Sequence, residues 1–388
     1  MNNVLQLSGA PVFPVVSLFS GAMGLDLGLA QAGLNVVVSQ DFDRWCCETI
    51  EANGHTSLLG DIRSLIDADP GCDFLLEKGK IGKRDVFAVV GGPPCQSFST
   101  AGKRLGVEDG RGMLYEQFIH VVESLNPRFF VMENVKGLAS MPSAGDAKRP
   151  LLALIIERFR ALGFHTVYGV LDAVHYGAPQ FRERLVVVGS RDNEAIFLPS
   201  PTHFHMHQNP SMRWKTLHSA IADLQSDPGP CAKFSPNVSK YLIMVPEGGN
   251  WRSLPQNVVR EAMGGAYESG GGKVGFFRRL PYSEPSPTLV TSPIQKATAL
   301  CHPRDTRPLS VKEYARIQGF PDSWRFSGST AECYRQIGNA VPIPLGMALG
   351  QMLVSVALGN SEVRVKRMRG TSVHDSMKQL SLTLASGA

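Results

Sequence analysis

Pro14-Val-Val-Ser-Leu-Phe19 is a short apolar run that breaks at Ser20-Gly21, and from Gly24 onward Leu25, Leu29 and Ala32 fall on one helical face. This is strand, glycine turn, helix. The same order recurs downstream. Val36-Val-Val38 ends at Gln40-Asp41 before a helix to Asn53, and Asp85-Val-Phe-Ala-Val-Val90 ends at Gly91-Gly-Pro-Pro94. Phe129-Phe-Val-Met132 ends at Glu133-Asn134. A helix near 151–162 and a strand near 165–171 then precede Arg184-Leu-Val-Val-Val188. Strands alternating with helices predict an α/β fold, a doubly wound, mostly parallel sheet of Rossmann-like type, with ligands bound beyond the carboxyl ends of its strands.

The texture changes between about Asn193 and Ala299. Prolines are frequent (Pro199, Pro201, Pro210, Pro228, Pro230, Pro236), Gly270-Gly-Gly272 interrupts, and no helical period is sustained, so a second, smaller, loop-rich lobe is expected. Helical texture returns at 307 and ends in an apolar helix over 345–358, after which the basic and Ser/Thr-rich residues 360–388 read as a flexible tail. The expected division is 1–192, 193–306, 307–359 and 360–388.

Composition narrows the function classes. With 388 residues, 43% hydrophobic and 19% charged, the chain can bury a core and is neither a disordered polymer nor a coiled coil. Its net charge is +5, and residues 195–300 hold ten Lys/Arg against six Asp/Glu, so +4 of that excess lies in the second lobe, as a polyanion-binding surface requires. Seven cysteines without a C-x-x-C pair predict reduced thiols. The absence of a leader pattern or a ~20-residue apolar span predicts a cytoplasmic protein with no membrane partner. His203, His205 and His207 alternate, but no acidic or cysteine partner stands near, and a solvated loop is expected there instead of a metal site.

Three strand ends lean towards an adenosine-containing cofactor. The turn Phe19 to Gly24 lets backbone approach a nucleotide, Asp41 offers acceptors for two ribose hydroxyls with Phe42 as a stacking ring, and Asp61 is an adenine contact or a turn residue. The sharpest feature is Gly91-Gly-Pro-Pro-Cys-Gln-Ser-Phe-Ser99. Its two prolines fix the direction of Cys95 at a strand end, which suits a nucleophile. Glu133, following an apolar strand, is a carboxyl group whose pKa burial would raise, making it a proton donor near neutrality. In Gln180-Phe-Arg-Glu-Arg184 the period of two puts Arg182 and Arg184 on one side, where they would clamp an oxygen or pair with acids.

In this order the motifs resemble the DNA (cytosine-5) methyltransferases, particularly the single-chain bacterial kind of restriction–modification systems. Phe19 to Gly24 is similar to the family's cofactor turn, Gly92 to Ser99 to its nucleophile loop, Glu133-Asn-Val135 to its acid motif and Gln180 to Arg184 to its arginine motif. Arg307 to Trp324 resembles the support of its recognition domain, and Arg335-Gln-Ile-Gly-Asn-Ala-Val-Pro342 its closing motif. Met23 stands where the family has a second glycine, and Asp41 and Phe42 where it has glutamate and tryptophan.

The resemblance implies methyl transfer from S-adenosylmethionine to carbon 5 of a flipped-out cytosine in a specific duplex DNA sequence. It assigns catalysis to Cys95, Glu133, Arg182 and Arg184. Cofactor binding falls to Phe19, Gly21, Gly24, Leu25, Asp41, Phe42, Asp61, Ile62, Pro93, Leu114, Asn339, Ala340 and Val341, so the C-terminal segment must fold back on the first lobe. DNA contacts are expected from Gln96, Ser99, Arg278, Arg279 and Thr288. A monomer is expected, with a cognate restriction endonuclease acting separately. The alternatives are an RNA (tRNA) cytosine-5 methyltransferase of the same fold, a catalytically silent DNA-binding regulator, and a nicotinamide dehydrogenase, the last disfavoured because G-x-G-x-x-G is absent.

Overall fold

A computed structural model describes residues 12–94, 114–143, 146–192, 195–270 and 273–359. Its centre is a seven-stranded sheet of β1 (Pro14–Leu18), β2 (Asn35–Asp41), β3 (Ser57–Leu59), β4 (Ala88–Gly91), β5 (Phe129–Val135), β6 (His165–Asp172) and β7 (Glu183–Ser190), in the order β3-β2-β1-β4-β5-β7-β6. The first five pair in parallel and β7 runs antiparallel to both neighbours, so the sheet is mixed at its β7–β6 end. The order reverses between β1 and β4, which opens a crevice at their carboxyl ends.

Alternation within each strand supplies two cores. Val16, Leu18, Val89, Phe130, Met132, Leu185 and Val187 face α3 (Ile62–Ala68), α5 (Leu114–Leu125) and α6 (Leu151–Ala161), with α4 (Asp73–Gly79) against the same layer. Their neighbours Val15, Ala88, Val90, Phe129, Val131, Val186 and Val188 face α1 (Gly24–Gln31) and α12 (Ile343–Ala357). Burial of both faces accounts for the near-continuous apolar strands.

The helix α12 closes on α1 at backbone distance. A Cβ on Gly28 would lie 2.4 Å from the Ile343 carbonyl and one on Gly346 2.7 Å from the Leu25 carbonyl, so only glycine permits this approach. The C-terminal segment also docks on α2 (Arg44–Ala52). There Thr49 donates to Gln336, the Ser327 amide donates to Thr49, and Asn53 exchanges hydrogen bonds with the Arg325 backbone. Residues 330–357 are apolar and helical enough in aggregate to cross a membrane, but α12 spends its apolar side on α1 and the sheet.

Between 195 and 300 the chain is mostly irregular, as its texture predicts. Three short helices stand there: α7 (Leu217–Ile221), α8 (Pro236–Leu242) and α9 (Gln256–Met263). Pro236 occupies the first turn of α8 and Pro255 precedes α9, so both stand at helix starts, where a missing N–H would be unpaired in any case. Val259, Ala262 and Met263 bury one face of α9 in a small core with Phe234, Tyr241, Leu242, Phe277 and Cys301. The lobe joins the rest through α10 (Val311–Gln318) and α11 (Thr330–Asn339), where Leu217, Leu280, Leu289, Tyr314 and Tyr334 pack together.

Candidate active site

A cavity of about 800 Å³ opens at the carboxyl ends of β1, β2, β4 and β5, within the range of small-molecule and cofactor sites. Its first wall is the turn after β1. Gly21 and Met23 both adopt left-handed backbone, with φ of 54° and 67°. Met23 thus keeps the conformation that a glycine would hold without strain, at about 1–2 kcal/mol, and buries its side chain in return. The turn is tied to β2 by Asp41, whose Oδ2 accepts from the Gly21 amide (2.8 Å) and Oδ1 from the Asp43 amide (2.9 Å). Burial outweighs these bonds and raises the Asp41 pKa. Beside it, Phe42 is 62% exposed over the cavity mouth, a free ring face for a flat ligand.

The β4–β5 side carries the acid. Glu133 is buried at the end of β5, and Arg184 pairs with Val135 in the antiparallel β5–β7 ladder, so Glu133 is its diagonal neighbour on the same face. The Arg184 Nε reaches the Glu133 Oε1 at 2.6 Å, with both side chains nearly enclosed. Burial raises the Glu133 pKa, and the Arg184 and Arg182 charges pull against it. The adjacent Asn134 donates from Nδ2 to the Pro93 carbonyl at 2.8 Å, and a Cβ on Gly92 would lie 2.8 Å from the Glu133 Oε2. The glycine–proline turn is thereby seated against the carboxylate. Cys95, Gln96 and Ser99, which follow it, lie outside the described residues.

The third wall comes from far along the chain: Thr288 to Thr291, then Arg335 and Gln336, and Gly338 to Val341. Of the residues expected at a cofactor, Phe19, Gly21, Leu25, Asp41, Phe42, Pro93, Asn339, Ala340 and Val341 line the cavity, and Gly24 packs behind it on the Val341 carbonyl. Asp61, Ile62 and Leu114 do not line it. Asp61 caps α3 and pairs with Arg63, which lowers its pKa, while Ile62 sits in the core. Thr288 faces the cavity with its hydroxyl donated to the Phe181 carbonyl (2.7 Å).

Two arginines differ from their expected roles. Arg182 lines the cavity, yet its guanidinium is turned onto the Leu289 carbonyl (3.0 Å) and the Gly338 carbonyl (2.6 Å). Arg279 is corrected outright as a DNA contact. It is 4% exposed and donates to the carbonyls of Val245, Leu242, His302, Arg304 and Asp305 and to the Thr306 hydroxyl, leaving nothing for a phosphate. Arg278 is half-buried and donates to the Ala299 carbonyl at 3.3 Å.

Sequence reasoning missed Asp26. It is buried at the cavity, takes the Ser17 hydroxyl (2.7 Å) and the Ser39 hydroxyl (2.8 Å), and has its pKa pushed up by burial to about 6. The signal in the sequence was a lone carboxylate in Leu25-Asp-Leu-Gly-Leu29; the serines it faces, register partners on β1 and β2, come together only in the fold. Arg335, paired with Asp43 and Glu332 at the mouth, was also missed as a lining residue. Among the described residues no cluster of His, Cys, Asp and Glu is arranged to hold a metal ion.

A family model for C-5 cytosine-specific DNA methylases matches residues 13–355. Over 349 residues the chain is 39% identical to the Type II methyltransferase M.PspPI of Psychrobacter sp. (strain TA137), covering 88% of this chain and 79% of that one. It is 38% identical over 349 residues to the Type II methyltransferase M.Eco47II of Escherichia coli, with the same coverage. Among solved structures it resembles a prophage-encoded E. coli protein described as a DNA modification methyltransferase (TM-score 0.62, 23% identity, 89% of this chain and 99% of that one), a likeness of fold.

Proposed function

Because the chain belongs to the C-5 cytosine-specific DNA methylases, we propose the following roles for its residues in transferring a methyl group to carbon 5 of cytosine in DNA. The protein is a DNA cytosine-5 methyltransferase of restriction–modification type, and that type supports a cytoplasmic location, where it meets the DNA it acts on. The observation that carries the assignment of roles is the buried Glu133–Arg184 pair beside the seat of the glycine–proline turn, at the rim of a cavity suited to an adenosine ligand.

The cavity fits S-adenosylmethionine on its own chemistry. Asp41 keeps unused acceptor lone pairs, Phe42 offers a ring, and the backbone of Phe19 to Gly21 and of Asn339 to Val341 edges the space. When bound there, S-adenosylmethionine supplies an electrophilic methyl group. Carbon 5 of cytosine is too weak a nucleophile to take it unaided. The Cys95 thiolate adds to carbon 6 and turns the ring into an enamine; once carbon 5 is methylated and has lost its proton, the sulfur leaves by elimination.

Glu133 donates to ring N3 as electron density builds there, which its raised pKa favours. Arg184 holds the base O2 and keeps the carboxyl oriented. The ring faces are covered in a duplex, so the cytosine must leave the stack, and residues 193–306 supply the phosphate and base-edge contacts for this. We assign chemistry to 1–192 and closure of the cofactor site to 307–359. The recognised sequence is protected from a cognate endonuclease acting separately.

Expression in a methylation-free host followed by bisulfite sequencing tests this reading. Conversion-resistant cytosines in one sequence context are expected. Fully converted DNA alongside methylated tRNA would overturn it in favour of an RNA substrate.

A further inference from the structure

Gln180 and Arg182 are buried between two pieces of chain with different duties, with Phe181 exposed between them. On one side Ser286 to Leu289, a stretch of the second lobe, runs parallel to this segment. The Ser286 amide donates to Pro179 (2.8 Å), the Phe181 amide to Ser286 (2.8 Å) and the Leu289 amide to the Gln180 Oε1 (3.3 Å). On the other side lies 337–340, at the cofactor edge of the cavity. Gln180 donates to the Gln318 Oε1 (2.7 Å), and Gln318 donates to the carbonyls of Ile337 (2.6 Å) and Ala340 (3.1 Å). Arg182 spans the gap directly, with Nη1 on Leu289 and Nη2 on Gly338. Gln180, Arg182 and Gln318 are each 2% exposed or less.

We propose that Gln180, Arg182 and Gln318 form a coupling junction through which DNA held by the second lobe and ligand held in the cavity raise each other's affinity. A guanidinium is a rigid planar fork, so its two Nη groups cannot follow two carbonyls that move apart. Its backbone is itself pinned, the Arg182 amide donating to the Asp172 Oδ1 at 2.8 Å. A buried cation whose hydrogen bonds go to carbonyls on both sides favours the single arrangement in which lobe and cofactor edge are both seated. Whatever seats one edge thereby prepares the other. Arg182 is in this account a positioning residue. The inference rests on the cavity taking S-adenosylmethionine and on 193–306 engaging DNA.

The test is calorimetric titration of the full chain with S-adenosylhomocysteine, alone and saturated with a duplex carrying the target found by bisulfite mapping. The wild-type affinity should rise on DNA by a factor within the ~5–150-fold span usual for coupled sites. In Arg182→Lys, a point donor that reaches one carbonyl and not both, that factor should fall to within about twofold of one. DNA affinity measured with and without S-adenosylhomocysteine must show the same factor, since coupling is reciprocal. A purely structural role would weaken both ligands and leave the ratio intact, and that result in folded Arg182→Lys overturns the proposal, as does a wild-type ratio of one. Should Arg182→Lys fail to fold, Gln318→Met severs the parallel tie at similar volume and must lower the ratio. Wild type that binds no S-adenosylhomocysteine at all would sink the cofactor reading and this proposal with it.

Discussion

Arg184 sits opposite Val135 in the β5–β7 ladder, and its guanidinium crosses the diagonal to Glu133, Nε to Oε1 at 2.6 Å. Two forces on the carboxyl are thus set against each other: burial lifts its pKa and the arginine holds it down.

Removing the arginine should release the first force. In Arg184→Gln the protonated form of Glu133 persists to higher pH, so the alkaline limb of the pH–rate profile moves upward even as kcat falls. An alkaline limb that stays in place or moves down would take Glu133 out of the proton-donating role.

Glu133→Gln retains the shape but cannot give up a proton. Turnover should drop by about 10²–10⁴-fold with DNA affinity little changed, because the contact strengthens only as charge develops on the ring. Filter binding beside single-turnover kinetics separates the two quantities.

Cys95→Ala should bind DNA and cofactor yet transfer no methyl group. A duplex with 5-fluorocytosine at the target should trap the wild type covalently, since fluorine cannot leave as a cation. Mass spectrometry that places the adduct on another residue would refute the mechanism.

Asp26 makes stability depend on pH. Its folded pKa of about 6 stands above the unfolded value of 3.8, so folding binds a proton between them. Stability is greatest below pH 4 as far as this group is concerned and falls as pH rises through 6, by up to about 3 kcal/mol. Asp26→Asn should therefore melt higher than wild type at pH 8, with the gap narrowing towards pH 4. Melting curves at the two pH values decide it.

Arg279→Gln strands several buried carbonyls. A stability loss of several kcal/mol is expected in chemical denaturation, with the salt dependence of DNA binding unchanged in whatever remains folded. A flattened salt slope would restore Arg279 as a phosphate contact.

The repeated strand–turn–helix order made the sheet legible, because burial on both faces writes itself as apolar runs and the turns at strand ends announce the ligand side. Glu133 and Arg184 were each visible at a strand end, but their pairing depends on antiparallel register, which no local pattern encodes. The Arg278–Arg279 dipeptide shows the limit of charge counting. Adjacent residues on extended chain point opposite ways, and a tally cannot tell that the second turns inward onto five carbonyls. Asp26 went unread since its meaning lies in Ser17 and Ser39, on two other elements. Met23 departs from the resemblance in letter and keeps its left-handed backbone.

The seating of α12 on α1 through Gly28 and Gly346 also sets an order of events during synthesis. Of the described helices α1 is made first and α12 last, so the glycine-lined side of α1 waits for α12. Until residues 339–357 have been translated, Leu345, Leu349 and Leu353 are missing from one sheet face and Asn339 to Val341 from the cavity wall. A nascent chain stalled before them carries the residues of β1 to β7 but lacks part of the third wall, so the cavity at the strand ends is completed only near the end of the described chain.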